Sequence, residues 1–137
     1  MTSEHVAELI QRAAAASSPE GFDRAVLTAK LLSSFEQWQL RVVSGDAEAG
    51  PKAPEEIIDA VEELRDDMAT PQGGAWYTAV FTVEGDGTFG VTFDYDHRPQ
   101  WDVGLDAEAE RRMFVEDLER YPRAPEAVPE WLRAMLP

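Results

Sequence analysis

Residues 77–95 limit the possible folds more than any other stretch of the chain. Tyr77, Ala79, Phe81 and Val83 occupy alternate positions, as do Phe89, Val91, Phe93 and Tyr95, with Glu84-Gly85-Asp86-Gly87 between them. A period of two places each set on one side of an extended strand. Asp-Gly suits a tight hairpin turn, because glycine takes the positive φ that such turns need. The segment therefore predicts a β-hairpin with its tip at Asp86-Gly87. By the same count Trp76 falls on the face opposite Tyr77 and Phe81, either packed beneath a helix or partly exposed.

The other elements follow from similar patterns. Val6, Leu9, Ile10 and Ala13 have helical spacing, which predicts a helix over 3–16 with Ser3 as its cap. Ser17-Ser18-Pro19-Glu20-Gly21 ends it. Gln37-Trp38-Gln39-Leu40-Arg41-Val42 alternates polar and apolar residues, as a half-buried strand does. The preceding Leu27–Leu31 also alternates, and Ser33-Ser34 offers a turn, so 22–43 reads as a second hairpin. A helix burying Phe22, Val26, Ala29 and Leu31 fits the first half as well. Asp46 to Pro54 reads as a Gly/Pro/Ala-rich loop. Pro54 then opens a helix with Glu55 and Glu56 in its first turn, where acids favour the helix dipole. Ile57, Ile58, Val61, Leu64 and Met68 form its apolar stripe, and Thr70-Pro71-Gln72-Gly73-Gly74 stops it. Beyond the loop His97–Trp101, a helix over 106–120 turns Met113, Phe114 and Leu118 inward. A short helix from Pro129 to Leu136 offers Trp131, Leu132 and Met135 for docking.

This order, α-β-β-α-β-β-α, predicts an α+β fold in which one antiparallel sheet of about four strands, two hairpins, packs against helices. At 137 residues and 44% apolar, the chain is long and apolar enough for a single domain over 1–137 with one core. Neither an internal repeat nor a second core is visible. There is no cysteine, so disulfides and thiolate metal sites are excluded. The N-terminus lacks the basic and apolar regions of a signal peptide, and no apolar run reaches membrane-spanning length. A soluble, cytoplasmic protein is expected. Ten arginines against two lysines, with abundant alanine, fit GC-rich bacterial coding.

The net charge is −15, from 27 acids and 12 bases, and it is unevenly spread. Residues 44–70 hold nine acids against Lys52 and Arg65, whereas residues 1–43 are near neutral. Such a field repels nucleic acid and anionic membranes and speeds encounter with basic partners. Solubility alone also favours an acidic surface.

Chemistry-bearing motifs are sparse. Asp94, Asp96, His97 and Asp102 suggest a hard metal, but one histidine and a few acids fall short of a ligand set, and carboxylates at a strand end are ordinarily solvated. Both Asp94 and Asp96 are expected on the solvent side of the strand, opposite Tyr95. Nucleophile elbow, phosphate loop and catalytic cysteine are all missing, and only His5 and His97 could act as imidazole bases. The chain is therefore expected to bind rather than catalyse, without cofactor or metal. Trp101, flanked by Pro99 and Asp102, would serve as an interface anchor if exposed, although burial is the commoner fate of tryptophan.

Ile57-Ile58-Asp59-Ala60-Val61-Glu62-Glu63-Leu64-Arg65, then Trp76–Val83, then Asp86-Gly87-Thr88-Phe89-Gly90-Val91-Thr92-Phe93-Asp94-Tyr95-Asp96 together resemble the YezG-like immunity family over residues 55–102. That family runs from an acidic helix to a strand opening on Trp, a "DG" turn and a strand closing on an aromatic–Asp pair. The resemblance implies a small acidic antitoxin that neutralises a secreted nuclease toxin inside the producing cell, without cofactors. On this reading Asp59, Glu62, Glu63, Asp66 and Asp67 on the helix, with Asp94, Asp96, Trp101 and Asp102 near the strand end, would meet a basic cleft on the partner. An acidic secretion chaperone or adaptor, holding unfolded cargo in an apolar groove, is the alternative.

Overall fold

A computed structural model describes every residue from Met1 to Pro137. The chain runs α1 (Ser3–Ser17), β1 (Arg24–Leu31), β2 (Glu36–Ser44), β3 (Ala47–Ala49), α2 (Glu55–Met68), β4 (Thr78–Glu84), β5 (Phe89–Asp94) and α3 (Ala107–Arg120). A 3-10 turn (Pro125–Ala127) and a short helix, α4 (Glu130–Arg133), follow. The fold is α+β. Its antiparallel sheet has five strands in the order β3-β2-β1-β4-β5 rather than the four expected. The extra strand lies within the predicted loop 46–54, where Ala47, Glu48 and Ala49 pair with Ser44, Val43 and Val42. Three exposed residues bury nothing, so no periodicity marked them.

Both predicted hairpins form. β1 buries Ala25, Leu27, Ala29 and Leu31 on alternate positions, which decides against a helix there. β2 aligns beside it with Leu27 opposite Leu40 and Ala25 opposite Val42. β4 lies on the other side of β1, with Phe81 opposite Leu27, and β5 completes the edge without a bulge. At the β4–β5 turn Gly87 takes φ 92°, as the Asp-Gly reading requires.

One face of the sheet carries these apolar rows and is covered by α1 and α2. The cap of α1 is Thr2, not Ser3: Thr2 is extended, and its hydroxyl accepts the His5 N–H at 3.1 Å. Val6, Ala7, Leu9, Ile10 and Ala14 face the sheet. From α2 come Ile57, Ala60, Val61 and Leu64, while Ile58 and Met68 are only half-buried. No helix covers the opposite face, which bears Val26, Thr28, Lys30, Gln37, Gln39, Thr78, Val80 and Thr82, and the loop at Gln100–Asp102 lies against its Lys30 and Gln37.

A second apolar cluster, absent from the sequence reading, caps the end of the sheet. Leu32, just past β1, and Tyr77, just before β4, meet Phe114 of α3 and Leu132 of α4. Tyr77 packs edge-on to Phe114 and Trp131, with ring centres 5.4 and 5.9 Å away. Tyr77 thus leaves the face it was expected to share with Ala79 and Phe81. Trp76 is buried, one of the two outcomes expected of it, but in the principal core with Phe81 and Phe93 rather than on the opposite face. The alternation fails because β4 begins only at Thr78, and the bend at Tyr77 resets the parity. Trp131 and Met135 pack against this cluster, as their docking role predicted. No helix is long and apolar enough to cross a membrane.

Candidate partner-binding surface

The residues of α2 sort into two faces by the helical period. Ile57, Ala60, Val61 and Leu64 turn to the sheet, leaving all seven of its acids exposed: Glu55, Glu56, Asp59, Glu62, Glu63, Asp66 and Asp67. Its only base is absent from that surface. Arg65 is 3% exposed and forms a bidentate pair with Asp117 of α3, at 2.9 and 2.8 Å. Its Nε–H donates to the Trp76 carbonyl at 2.7 Å, and the guanidinium lies 5.0 Å from the Tyr121 ring centre. Ser33 completes the site, donating both its N–H and its hydroxyl to Asp117. The positive charge that would have moderated the acidic helix is turned inward and neutralised there.

The outer carboxylates are not equivalent. Asp67 accepts a hydrogen bond from the N-terminal ammonium of Met1 at 2.8 Å, and Asp66 accepts the Tyr121 hydroxyl at 2.9 Å. Glu62 lies against Glu36 of β2. A hydrogen bond shared with Glu36, then partial burial and the nearby charges of Glu36 and Asp59, push its carboxyl up to about 7. Glu55, Glu56, Asp59 and Glu63 are exposed and remain available, with Glu63 close enough to the Met1 ammonium to favour its charged form. The Glu36 contact was missed, although its position was readable: it shares a strand face with Trp38, Leu40 and Val42.

The strand-end group is largely committed to internal contacts. Asp94 caps the turn after β5, accepting the N–H groups of Asp96 and His97 at 3.0 and 2.9 Å and pairing with the His97 ring at 2.9 Å. Burial raises its carboxyl, but the hydrogen bonds from His97 and Asp96 outweigh this and hold it below the ordinary range. Asp96 lies beyond the end of β5, so it does not share a strand face with Asp94 as expected. Its side chain is exposed, and its carbonyl accepts the Trp131 indole N–H at 2.7 Å. Trp101 is half-buried, donating to Glu110 at 2.8 Å and meeting Phe35 edge-on at 5.1 Å. Asp102 is exposed, and its N–H donates to the side chain of Gln37 on the sheet face away from the helices. That face is opposite α2, so Asp102 and the helix acids do not form one continuous patch.

Other concave features are open. A groove of about 690 Å³ lies where the chain leaves β3, between Trp38–Arg41 and Gly50–Ala53, with Ile58 at its side. A smaller one of about 140 Å³ contains Glu36, Glu62, Asp66 and Arg120. No three metal-ligating side chains converge. The buried charged groups Arg65 and Asp117 satisfy each other, and Glu110 is held by Trp101 and Arg98. No protein-family model matches the chain, and no curated protein matches it either.

Proposed function

We propose that this chain is an immunity-type binding protein, which captures a basic toxin domain, a nuclease by the resemblance, and blocks its active cleft in the producing cell. The observation that carries this reading is the outer face of α2, with seven exposed carboxylates on a helix whose single base is buried. Carboxylates held on a packed helix can pair with the arginines and lysines that a nuclease uses to hold phosphate, and charge-assisted bonds of this kind are strong and directional. The excess negative field speeds the encounter and makes it sensitive to salt. Glu55, Glu56, Asp59 and Glu63 can do this without first breaking internal contacts. The protein acts here by occlusion and performs no catalysis.

The test is a variant carrying Glu55→Gln, Glu56→Gln, Asp59→Asn and Glu63→Gln, assayed against the basic partner that the parent protein captures from the producing cell. Retained folding with affinity reduced by about a hundredfold supports the reading; unchanged affinity refutes it. The groove beside β2, lined by Trp38, Leu40 and Ile58, favours one other reading, a secretion chaperone that holds an extended cargo. The state of the partner separates the two: a chaperone protects an unfolded segment, whereas an immunity protein abolishes the activity of a folded domain.

A further inference from the structure

β5 is a sheet edge with none of the usual defences. Natural edge strands are protected by lysine, proline, a bulge or a covering element. Residues 84–97 contain no lysine, arginine or proline, and β5 pairs with β4 in unbroken register from Phe89 to Asp94. Its outward-facing groups can be identified. The Thr88 carbonyl accepts the Glu84 N–H, and the Asp94 carbonyl accepts that of Tyr77, so even-numbered residues face β4. The backbone groups of Phe89, Val91 and Phe93 therefore point away from the sheet. At Tyr95 the edge closes, because Arg123 donates to its carbonyl at 2.8 Å.

The side chains along this edge also indicate what would fit. Phe89 is 39% exposed, one of two large apolar residues so exposed in the chain, and Val91 and Phe93 beside it are half-buried. The carboxylates along the edge are Glu84, paired with Arg24, and Asp86 at one end, and Asp94, paired with His97, and Asp96 at the other, so acids outnumber bases there. Asp86 is kept ionised by the N–H and hydroxyl of Thr88. A second copy of this chain would bring like charges together.

We infer that the β5 edge receives an extended segment of a basic protein partner as a sixth strand, with apolar side chains on Phe89, Val91 and Phe93 and basic ones beside Asp94 and Asp86. Backbone pairing supplies affinity and alternate side chains supply selectivity. The inference rests on the basic-partner reading above and adds a second attachment point, separated from β2 by three strand spacings, roughly 14 Å.

The probe is a peptide of about six residues alternating lysine and valine, compared with its glutamate–valine counterpart. Amide hydrogen exchange is followed in the whole protein. The lysine peptide should slow exchange at Phe89, Val91 and Phe93 by about tenfold or more, and the glutamate peptide should not. Gly90→Lys should abolish the effect: a side chain at Gly90 meets open space at an ordinary φ, so the fold is retained while the edge gains a lysine. Val91→Pro, which removes an outward donor, should do the same; if it does not fold, Gly90→Lys decides. Perturbation confined to α2 would overturn the edge assignment and leave the basic-partner reading standing. No response anywhere would count against both. Equal response to the two peptides, or protection that grows with protein concentration alone, would also overturn it.

Discussion

Arg65 lies four residues after Val61 and eight after Ile57, on the apolar stripe of α2 rather than on its charged face. Its partner, Asp117, is equally buried, so each keeps the other from being an unpaired charge in the interior. Asp117→Ala should cost about 3–5 kcal/mol, because it leaves the guanidinium without its counter-ion. Replacing the pair together, Arg65→Met with Asp117→Leu, should cost clearly less. Urea unfolding of both variants checks this. Glu62 gives a pH-dependent counterpart. With its carboxyl raised from 4.5 to about 7, the folded protein holds a proton there that the unfolded chain has released. Stability from this group is thus complete below pH 4.5 and declines as pH rises towards 7. Glu62→Gln should match the parent in thermal midpoint at about pH 4 and exceed it at about pH 8. Burial of Arg65 could have been read from helical spacing. The pairing of Glu62 with Glu36 could not, since it joins two elements distant in sequence.

Among the elements, the two hairpins and α2 were legible because each has a sustained period, two or 3.6, over most of its length. What escaped were places where the period is short or interrupted. β3 is three residues of edge pairing, and Tyr77 lies on a bend that reverses which face its side chain joins. The caps of α3 and α4 on the sheet end depend on long-range contacts, so the second cluster had no local signature. In the proposed surface, the helix acids were found where the pattern placed them, exposed on one face. Trp101 and Asp94 proved to be tied internally, by Glu110 and by the turn at His97. The β4–β5 hairpin makes its own prediction. Gly85 donates to the Asp23 carbonyl at 2.9 Å, and a side chain there would overlap the backbone of Phe22. Gly85→Ala should therefore destabilise by about 1–3 kcal/mol, whereas Gly90→Ala should be nearly neutral. Thermal unfolding of the two variants distinguishes a packed turn from an open edge.

Across the whole molecule, charge is arranged by side. The sheet face away from the helices pairs Arg24 with Glu84 and Arg41 with Glu48, whereas of the seven acids on α2 only Asp66, with Arg120, and Asp67, with the Met1 ammonium, form ion pairs. A field of this kind gives association that weakens as salt rises, and neutralising Glu55, Glu56, Asp59 and Glu63 should flatten that dependence. Site-directed cross-linking from Glu63, with the activity of the captured partner measured before and after release, tests the central claim most directly. A folded, basic partner whose activity is lost in the complex and restored on release is the predicted result. A neutral or acidic partner, or an unfolded segment held without loss of any activity, would contradict it.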